Sequence, residues 1–363
     1  MGDTFDEFVR HAVRHGRMSS GHHHRNYRVR LTDAMAARVG REPGTQVVVR
    51  IPVPDALPVV VRTWRDESRI LHAVRRSLVG IPEPLAARDG VAVHTFVEGS
   101  VLSRRCAGDS RVDADAVRAL ADVLARTVVV DRAGLPPLPD RWTEDGQSFL
   151  RALAHRTDAQ VRRPNLAEFG ELFRRLGVAE DAMAHYAERI PSMSLRPFGL
   201  LHTDLHRDNV IVSDGPDASL VQVDWELATY GDPLHELATH VVRMRYPDDQ
   251  VDEVTEAWAG AVDEVRPGAS KGLESDLPHF LDFERGQSVY PDVMRAARSL
   301  GVQGAVVAQE DLDRAVAAVA RALDAARRPL ELPEGPDEET IRDLLLWWHG
   351  NRRAPGTLTS SAP

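Results

Sequence analysis

The run Leu201-His202-Thr203-Asp204-Leu205-His206-Arg207-Asp208-Asn209 sets an aspartate five residues ahead of an asparagine. That is the spacing of catalytic loops that transfer phosphoryl groups, where the aspartate accepts the proton of an attacking hydroxyl. Asp204 suits that role, and Asn209 offers an amide oxygen to magnesium, which takes hard oxygen ligands. Asn209 to Ser213 then reads as a strand, Asp214-Gly215-Pro216-Asp217 as turn chemistry, and Leu220 to Trp225 as a returning strand. With Ser213 facing Leu220, Asn209 faces Asp224, and opposed residues of an antiparallel pair hold their Cβ atoms about 5 Å apart. One hairpin is thus expected to set an amide and a carboxylate on one metal ion, with Asp224 the main ligand. The competing reading makes Asp204 and Asp208 loop caps and Asp224 a surface turn residue. The His202-x-Asp204 prefix, the hairpin and Asp224-Trp225-Glu226 together weigh against it.

Stepping outward, short runs rich in β-branched residues lie at Tyr27 to Leu31, Gln46 to Ile51, Val59 to Thr63 and Val91 to Val97, set apart by Gly and Pro. Asp6 to His15 reads as a helix. Asp66 to Leu78 carries Ile70, Leu71, Val74 and Leu78 at helical spacing. After Gly99 the chain reads as helices: 113–130, 145–153, 166–176, 179–189, 233–244, 251–265, 277–288, 291–300, 311–326 and 338–349. The expected organisation is a small β-rich lobe over residues 1–97, a large helical lobe over 98–350 and a flexible tail over 351–363. Junctions of this kind are favoured places for ligands.

Composition narrows the classes. The chain has 363 residues, 43% of them apolar, enough for a sizeable core. A net charge of −10 argues against nucleic acid as a partner. No window approaches the ~20 apolar residues of a membrane-spanning helix, and no secretory signal opens the chain. Cys106 is the single cysteine, so no internal disulfide forms and a cytoplasmic location is expected. Lys271 is the only lysine, so any phosphate-binding cation near the N-terminus must be arginine. Signatures of nucleophile-elbow hydrolases, P-loop proteins, zinc metalloproteases and dinucleotide-binding folds are all lacking.

Over most of its length, and most strongly from Leu200 to Ala238, the chain resembles the aminoglycoside phosphotransferase and choline kinase-like enzymes, distant relatives of protein kinases. Their hallmark is His-Gly-Asp-Leu-His followed by Asn, then an apolar hairpin ending in Asp. Gly231-Asp232-Pro233 follows here as in that family. Thr203 stands where the family usually has Gly, and Glu236-Leu237-Ala238 where it has Asp-Leu-Ala. The resemblance implies an α+β, bilobal, protein-kinase-like fold with a small antiparallel N-lobe sheet and a mostly helical C-lobe. It implies transfer of the γ-phosphate of ATP or GTP, with Mg²⁺, to a small-molecule hydroxyl. It gives His206 a role in ordering the loop, beside the plain alternative of a buried histidine satisfied by backbone.

On the nucleotide side the resemblance places Gly21, within Ser19 to Tyr27, in a loop covering the phosphates; a surface turn and a histidine metal tract are the rivals. Arg50 takes the place of the strand lysine that contacts phosphates, with Arg62 the rival and Glu67 its partner; Asp66 is read as a helix N-terminal charge. The backbone of Thr95 and Val97 is expected to meet the base edge. On the acceptor side, Asp282, Glu284 or Asp292 would bind a cationic group, against the plainer reading of a helix surface. Trp225 and Tyr230 would stack on a ring, whereas Trp347 and Trp348 are read as packing. The expected activity is a small-molecule kinase, possible substrates including aminoglycoside or nucleoside antibiotics. A metabolic kinase of an amino alcohol or sugar and a nucleotide-binding pseudokinase are the alternatives.

Overall fold

The computed structural model describes residues 5–21, 23–54, 56–140, 142–214 and 219–351. His22, the expected turn residues 215–217 and the tail beyond Asn351 lie outside the described residues. In chain order the elements are α1 (Phe5–His15), β1 (Arg17–Ser20), β2 (His24–Arg30), α2 (Asp33–Val39), β3 (Gln46–Pro52), α3 (Glu67–Val74), β4 (Pro84–Arg88), β5 (Val91–Thr95), β6 (Gly99–Val101), α4 (Ala114–Val128), α5 (Gly146–Thr157), α6 (Arg163–Arg175), α7 (Ala182–Arg189), β7 (Gly199–Leu201), β8 (Val210–Ser213), β9 (Leu220–Gln222), β10 (Thr229–Gly231), α8 (Pro233–Met244), α9 (Val251–Val265), α10 (Leu273–Ser299), α11 (Gln309–Arg327) and α12 (Glu338–Asn351).

The α+β class and the antiparallel N-terminal sheet are present. Five strands run in the order β1-β2-β3-β5-β4, each pair antiparallel. Because side chains alternate along a strand, the register sorts them into two faces. Tyr27, Val29, Val47, Val49 and Val93 share one face and pack with Phe8 and Ala12 of α1 and Met35 and Ala36 of α2. The opposite face carries His24, Asn26, Val48, Arg50, Ala92 and His94. The apolar face therefore closes a core, and the polar face is left to line a site.

The chain separates into two compact units, residues 1–57, 62–144 and 195–271 in the first and 58–61, 145–194 and 272–363 in the second. The expected lobe boundary after residue 97 falls inside the first unit. There β6, the strand after β5, pairs with β8, which pairs with β9. Gly99 makes that pairing possible: at φ +147, a Cβ would stand 2.3 Å from the Val212 carbonyl. In the second unit α10 packs on α11 and α5.

Two expectations on the elements need correcting. Val59 to Thr63 is not a strand. The run gives way to irregular chain, and its end is held by side chains instead: Thr63 Oγ1 lies 2.7 Å from Thr229 Oγ1, and Trp64 donates to the Pro137 carbonyl at 3.0 Å. The two helices expected over 277–288 and 291–300 are one continuous helix, α10, with Pro278 and Pro291 inside it. A proline removes a single backbone hydrogen bond, and the buried Val289, Tyr290, Val293 and Met294 around Pro291 hold the helix across it.

Candidate active site

Asp204 sits in the loop between β7 and β8, its side chain largely buried. Asn209 donates its amide nitrogen to the Asp204 carbonyl at 2.9 Å and to Asp204 Oδ2 at 3.0 Å. Arg243 of α8 forms an ion pair with Oδ1, and His206 Nε2 lies 3.8 Å from the same oxygen. Burial raises the Asp204 carboxyl above its ordinary range against the pull of Arg243 and His206, and the Asp224 charge raises it further.

Asp224 arrives by a route that differs from the expected one. Ser213 pairs with Ser219, its N–H donating to the Ser219 carbonyl at 3.0 Å and the two hydroxyls 3.0 Å apart. The hairpin thereby closes one residue earlier than the sequence suggested. Val210 faces Gln222, the Val223 N–H donates to the Asn209 carbonyl, and Asn209 opposes Val223 rather than Asp224. Asp224 follows in the left-handed region (φ +66, ψ +67), which an aspartate tolerates better than most residues. Its Oδ1 accepts from Arg50 at 2.9 Å. Burial works against the Asp224 charge, yet Arg50 holds the carboxyl below its ordinary range.

Arg50 is buried on the polar face of the sheet and serves two carboxylates. It donates to Glu67 of α3 at 2.8 Å and to Asp224 at 2.9 Å. Burial alone would depress its pKa, but Glu67 and Asp224 raise it, so the guanidinium stays charged. Glu67 also accepts from the Trp225 N–H at 2.8 Å, so one carboxylate ties α3 to β3 and to the residue after Asp224. Arg62 points elsewhere, donating to Glu226 at 2.8 Å, and His24 lies 3.4 Å from the same Glu226 carboxylate. Asp66 caps α3, accepting from the Ser68 N–H at 3.0 Å.

The loop bearing Asp204 is held from beneath by groups that motif reading missed. Glu236, fully buried in α8, accepts from the N–H groups of both His202 and Thr203. Desolvation pushes its carboxyl up to about 7, partly offset by those two bonds. His202 accepts from the Asp204 N–H at Nδ1 and lies 3.2 Å from the Val223 carbonyl at Nε2. Burial lowers it to about 4, so the neutral ring bridges the two carboxylate-bearing segments. His240 reaches the Leu205 carbonyl at 2.8 Å. Glu236, His240 and Arg243 thus address residues 202–205 from one stripe of α8, at the four- and three-residue spacings that share a helix face. That spacing was visible, but it reads equally as a core stripe. Thr203 stands at φ +57, a conformation costly for a β-branched residue and natural for glycine. Its hydroxyl bond to the Leu227 carbonyl at 2.7 Å and the Glu236 contacts hold it there.

Other candidates fall as follows. Gly21 begins the β1–β2 turn, its N–H donating to the His24 carbonyl at 2.9 Å. The Thr95 N–H donates to the Glu83 carbonyl at 3.0 Å. No partner for the Val97 N–H is found among the described residues. Trp225 does not offer a stacking face: it is 1% exposed and packs edge-on to His202. Tyr230 is likewise buried, its hydroxyl donating to the Phe198 carbonyl at 3.2 Å. Asp282, Glu284 and Asp292 all lie on α10 in the second unit. Asp282 pairs with Arg328, Asp292 lies 3.6 Å from Arg295, and Glu284 is buried with Gln287 donating to it. Trp348 stacks on Phe169 at 5.1 Å, and Arg175 covers Trp347.

The donor set fits magnesium. Asn209 spends its amide hydrogens on Asp204, which leaves its Oδ1, and Asp224 keeps Oδ2 beside the Arg50 contact. Among the described residues no group of three or more His, Cys, Asp or Glu forms a metal cage of its own. Two protein oxygens completed by phosphate and water is the usual way this ion is held.

A family model described as "Phosphotransferase enzyme family" matches residues 16–270. No protein of curated function matches the chain in sequence. Among solved structures, a Ralstonia eutropha protein assigned only provisionally as an aminoglycoside phosphotransferase superposes with a TM-score of 0.56 at 16% identity, covering 92% of this chain and 99% of that one. A Plasmodium vivax ethanolamine kinase gives 0.54 at 12% identity, covering 86% and 81%. The macrolide 2'-phosphotransferase MphH from Brachybacterium faecium gives 0.50 at 20% identity, covering 86% and 98%. These likenesses establish a shared fold.

Proposed function

The chain belongs to the phosphotransferase enzyme family, and from that premise we propose that it moves the γ-phosphate of ATP or GTP to a hydroxyl of a small polar molecule. The observation that carries this reading is the Asn209 side chain. By donating to both the carbonyl and the carboxylate of Asp204, it fixes the acid group and presents its own oxygen beside it. In this reading Asp204 takes the proton of the acceptor hydroxyl as that oxygen bonds to the γ-phosphorus and the bond to the β-phosphate breaks. Asn209 and Asp224 would hold magnesium, which when bound neutralises charge on the triphosphate. Arg50 would contact phosphate, with its two-carboxylate setting keeping it charged and in place.

The acceptor is proposed as an antibiotic of the aminoglycoside or nucleoside type, with an amino alcohol or sugar as the competing class. A phosphate-transfer assay over antibiotics, nucleosides, amino alcohols and sugars, read as product mass, separates them. Asp204→Ala should lower turnover of the accepted substrate by about 10²–10⁴-fold while nucleotide still binds. Equal transfer by wild type and variant would refute the role of Asp204. Nucleotide binding without transfer to any acceptor would favour a pseudokinase.

A further inference from the structure

Between α4 and the strands β8 and β9 lies a groove of about 780 Å³. Small-molecule sites usually span about 300–1,000 Å³. Every residue that lines it belongs to the first unit, and none is among those given above to nucleotide, metal or proton transfer. The floor is apolar. Leu102, Val112, Val123 and Val212 are buried there, and Ala116 and Ala119 share the α4 face with Val123 at three- and four-residue spacing. Two alanines on that face leave the space that larger side chains would fill. The charged lining is balanced, with Arg105, Arg111 and Arg126 set against Asp113, Asp115 and Asp122. Arg111 is already paired with Asp249 and Glu253, and Asp115 with Arg118, while Asp113 caps α4 by accepting from the Asp115 N–H at 2.9 Å. A charged ligand would lose water here without a net opposite charge to meet, whereas an uncharged apolar one gives up nothing polar.

We infer that this groove is a second ligand site, for an uncharged apolar small molecule, and that its occupant acts on the loop bearing Asp204. Leu102 and Cys106 line the groove, and the residues beside them hold that loop. The Ser103 N–H donates to the Arg207 carbonyl at 3.0 Å, and the Ser103 hydroxyl donates to Asp208 at 2.5 Å. Arg207 is buried and donates back to the carbonyls of Cys106 at 2.9 Å and Ser110 at 2.7 Å, and to that of Met244, the last residue of α8, at 2.9 Å. A molecule seated against Leu102 and Cys106 that displaces their segment takes the Arg207 acceptors with it. The loop between Asp204 and Asn209 then loosens. Coupled sites typically change one another about 5–150-fold. The coupling rests on the role proposed for Asp204; the site itself does not.

The test uses N-phenyl-1-naphthylamine, an uncharged fluorophore, and its anionic relative 1-anilinonaphthalene-8-sulfonate, each with the full-length protein. The uncharged probe should bind saturably at one site, about tenfold or more tighter than the sulfonate. Ala119→Trp, which fills the groove, should weaken it by about tenfold or more. Cys106 is the only cysteine, so its alkylation by iodoacetamide reports on the groove alone. Saturating uncharged probe should slow that alkylation about fivefold or more. This measurement needs no variant and stands even if Ala119→Trp fails to fold. The absence of saturable binding, sulfonate binding as tight as that of the uncharged probe, an unchanged alkylation rate, or unaltered binding by a folded Ala119→Trp overturns the site. With an acceptor found by the transfer assay, saturating uncharged probe should lower wild-type kcat about fivefold or more and have no further effect on Ala119→Trp. Equal wild-type kcat with and without probe overturns the coupling. Probe binding without any phosphate transfer refutes the proposed function, and the coupling with it, while the site stands.

Discussion

Asp204 is a carboxylate between opposing influences. Burial favours its neutral form, and Arg243, in direct contact, favours the charged form that a proton acceptor needs. Removing Arg243 takes away the largest cationic influence, so the Asp204 carboxyl rises further. Arg243→Ala is therefore expected to move the acid limb of the kcat/KM profile to higher pH, with activity recovering as pH increases. A pH–rate profile with an acceptor found by the transfer assay checks this, and an unshifted acid limb would show that Arg243 does not govern Asp204. At this scale the sequence was legible where chemistry is local. The Asp204–Asn209 spacing lies within one loop, so their contact follows from the short stretch of chain between them. Asp224 was expected to oppose Asn209, but the hairpin register differs by one residue, because the seryl pairing that closes the hairpin cannot be read from turn propensity. Trp225 was misplaced because adjacency in sequence says nothing of which way an aromatic ring turns, and this one turns inward onto His202.

At the scale of elements, α8 is the support of the loop. Its stripe of Glu236, His240 and Arg243 reaches four consecutive residues, 202 to 205. Glu236 titrates near pH 7 when folded, above its ordinary value of about 4.3. Between those values the folded chain binds more protons than the unfolded one, so this group's contribution to stability falls as pH rises through about 7 and is most favourable below about pH 4. Glu236→Gln keeps an acceptor for the two N–H groups but cannot ionise. The stability difference between wild type and this variant should shift against wild type by roughly 2–3 kcal/mol from pH 5 to pH 8, at about 1.4 kcal/mol per pKa unit. Denaturant melts at the two pH values measure it, and a constant difference would contradict the burial argument. The stripe escaped sequence reading because four- and three-residue spacing marks any buried helix face. The polar residue types on it were the available signal. Strand β4 was missed for a related reason: Pro84 to Arg88 lacks β-branched residues, and only pairing with β5 makes it a strand.

At the scale of the whole molecule, the residues given to nucleotide and metal are far apart in the chain yet fall within one compact unit. Arg50 and Glu67 come from the β-rich part, and Asp204, Asn209 and Asp224 from the segment near its end. The unit is discontinuous in sequence, and contiguous reading could not foresee that residues 145–194 belong elsewhere. Among the described residues no helix is long and apolar enough to cross a membrane. Direct hydrogen bonds and ion pairs run from Glu67 through Arg50 to Asp224, and from Asn209 to Asp204. His202 joins the two sets by contacts at the Asp204 N–H and the Val223 carbonyl. The fold's task at this scale is to bring these two sets together.

That claim is met most directly by titrating ATP into the protein with and without magnesium. Wild type and Asp204→Ala should both bind about tenfold or more tighter with the ion. Asp224→Ala and Asn209→Ala should lose most of that gain while their magnesium-free affinity stays close to wild type. If all four proteins respond to magnesium alike, the amide and carboxylate do not share an ion, and the account of this site is wrong.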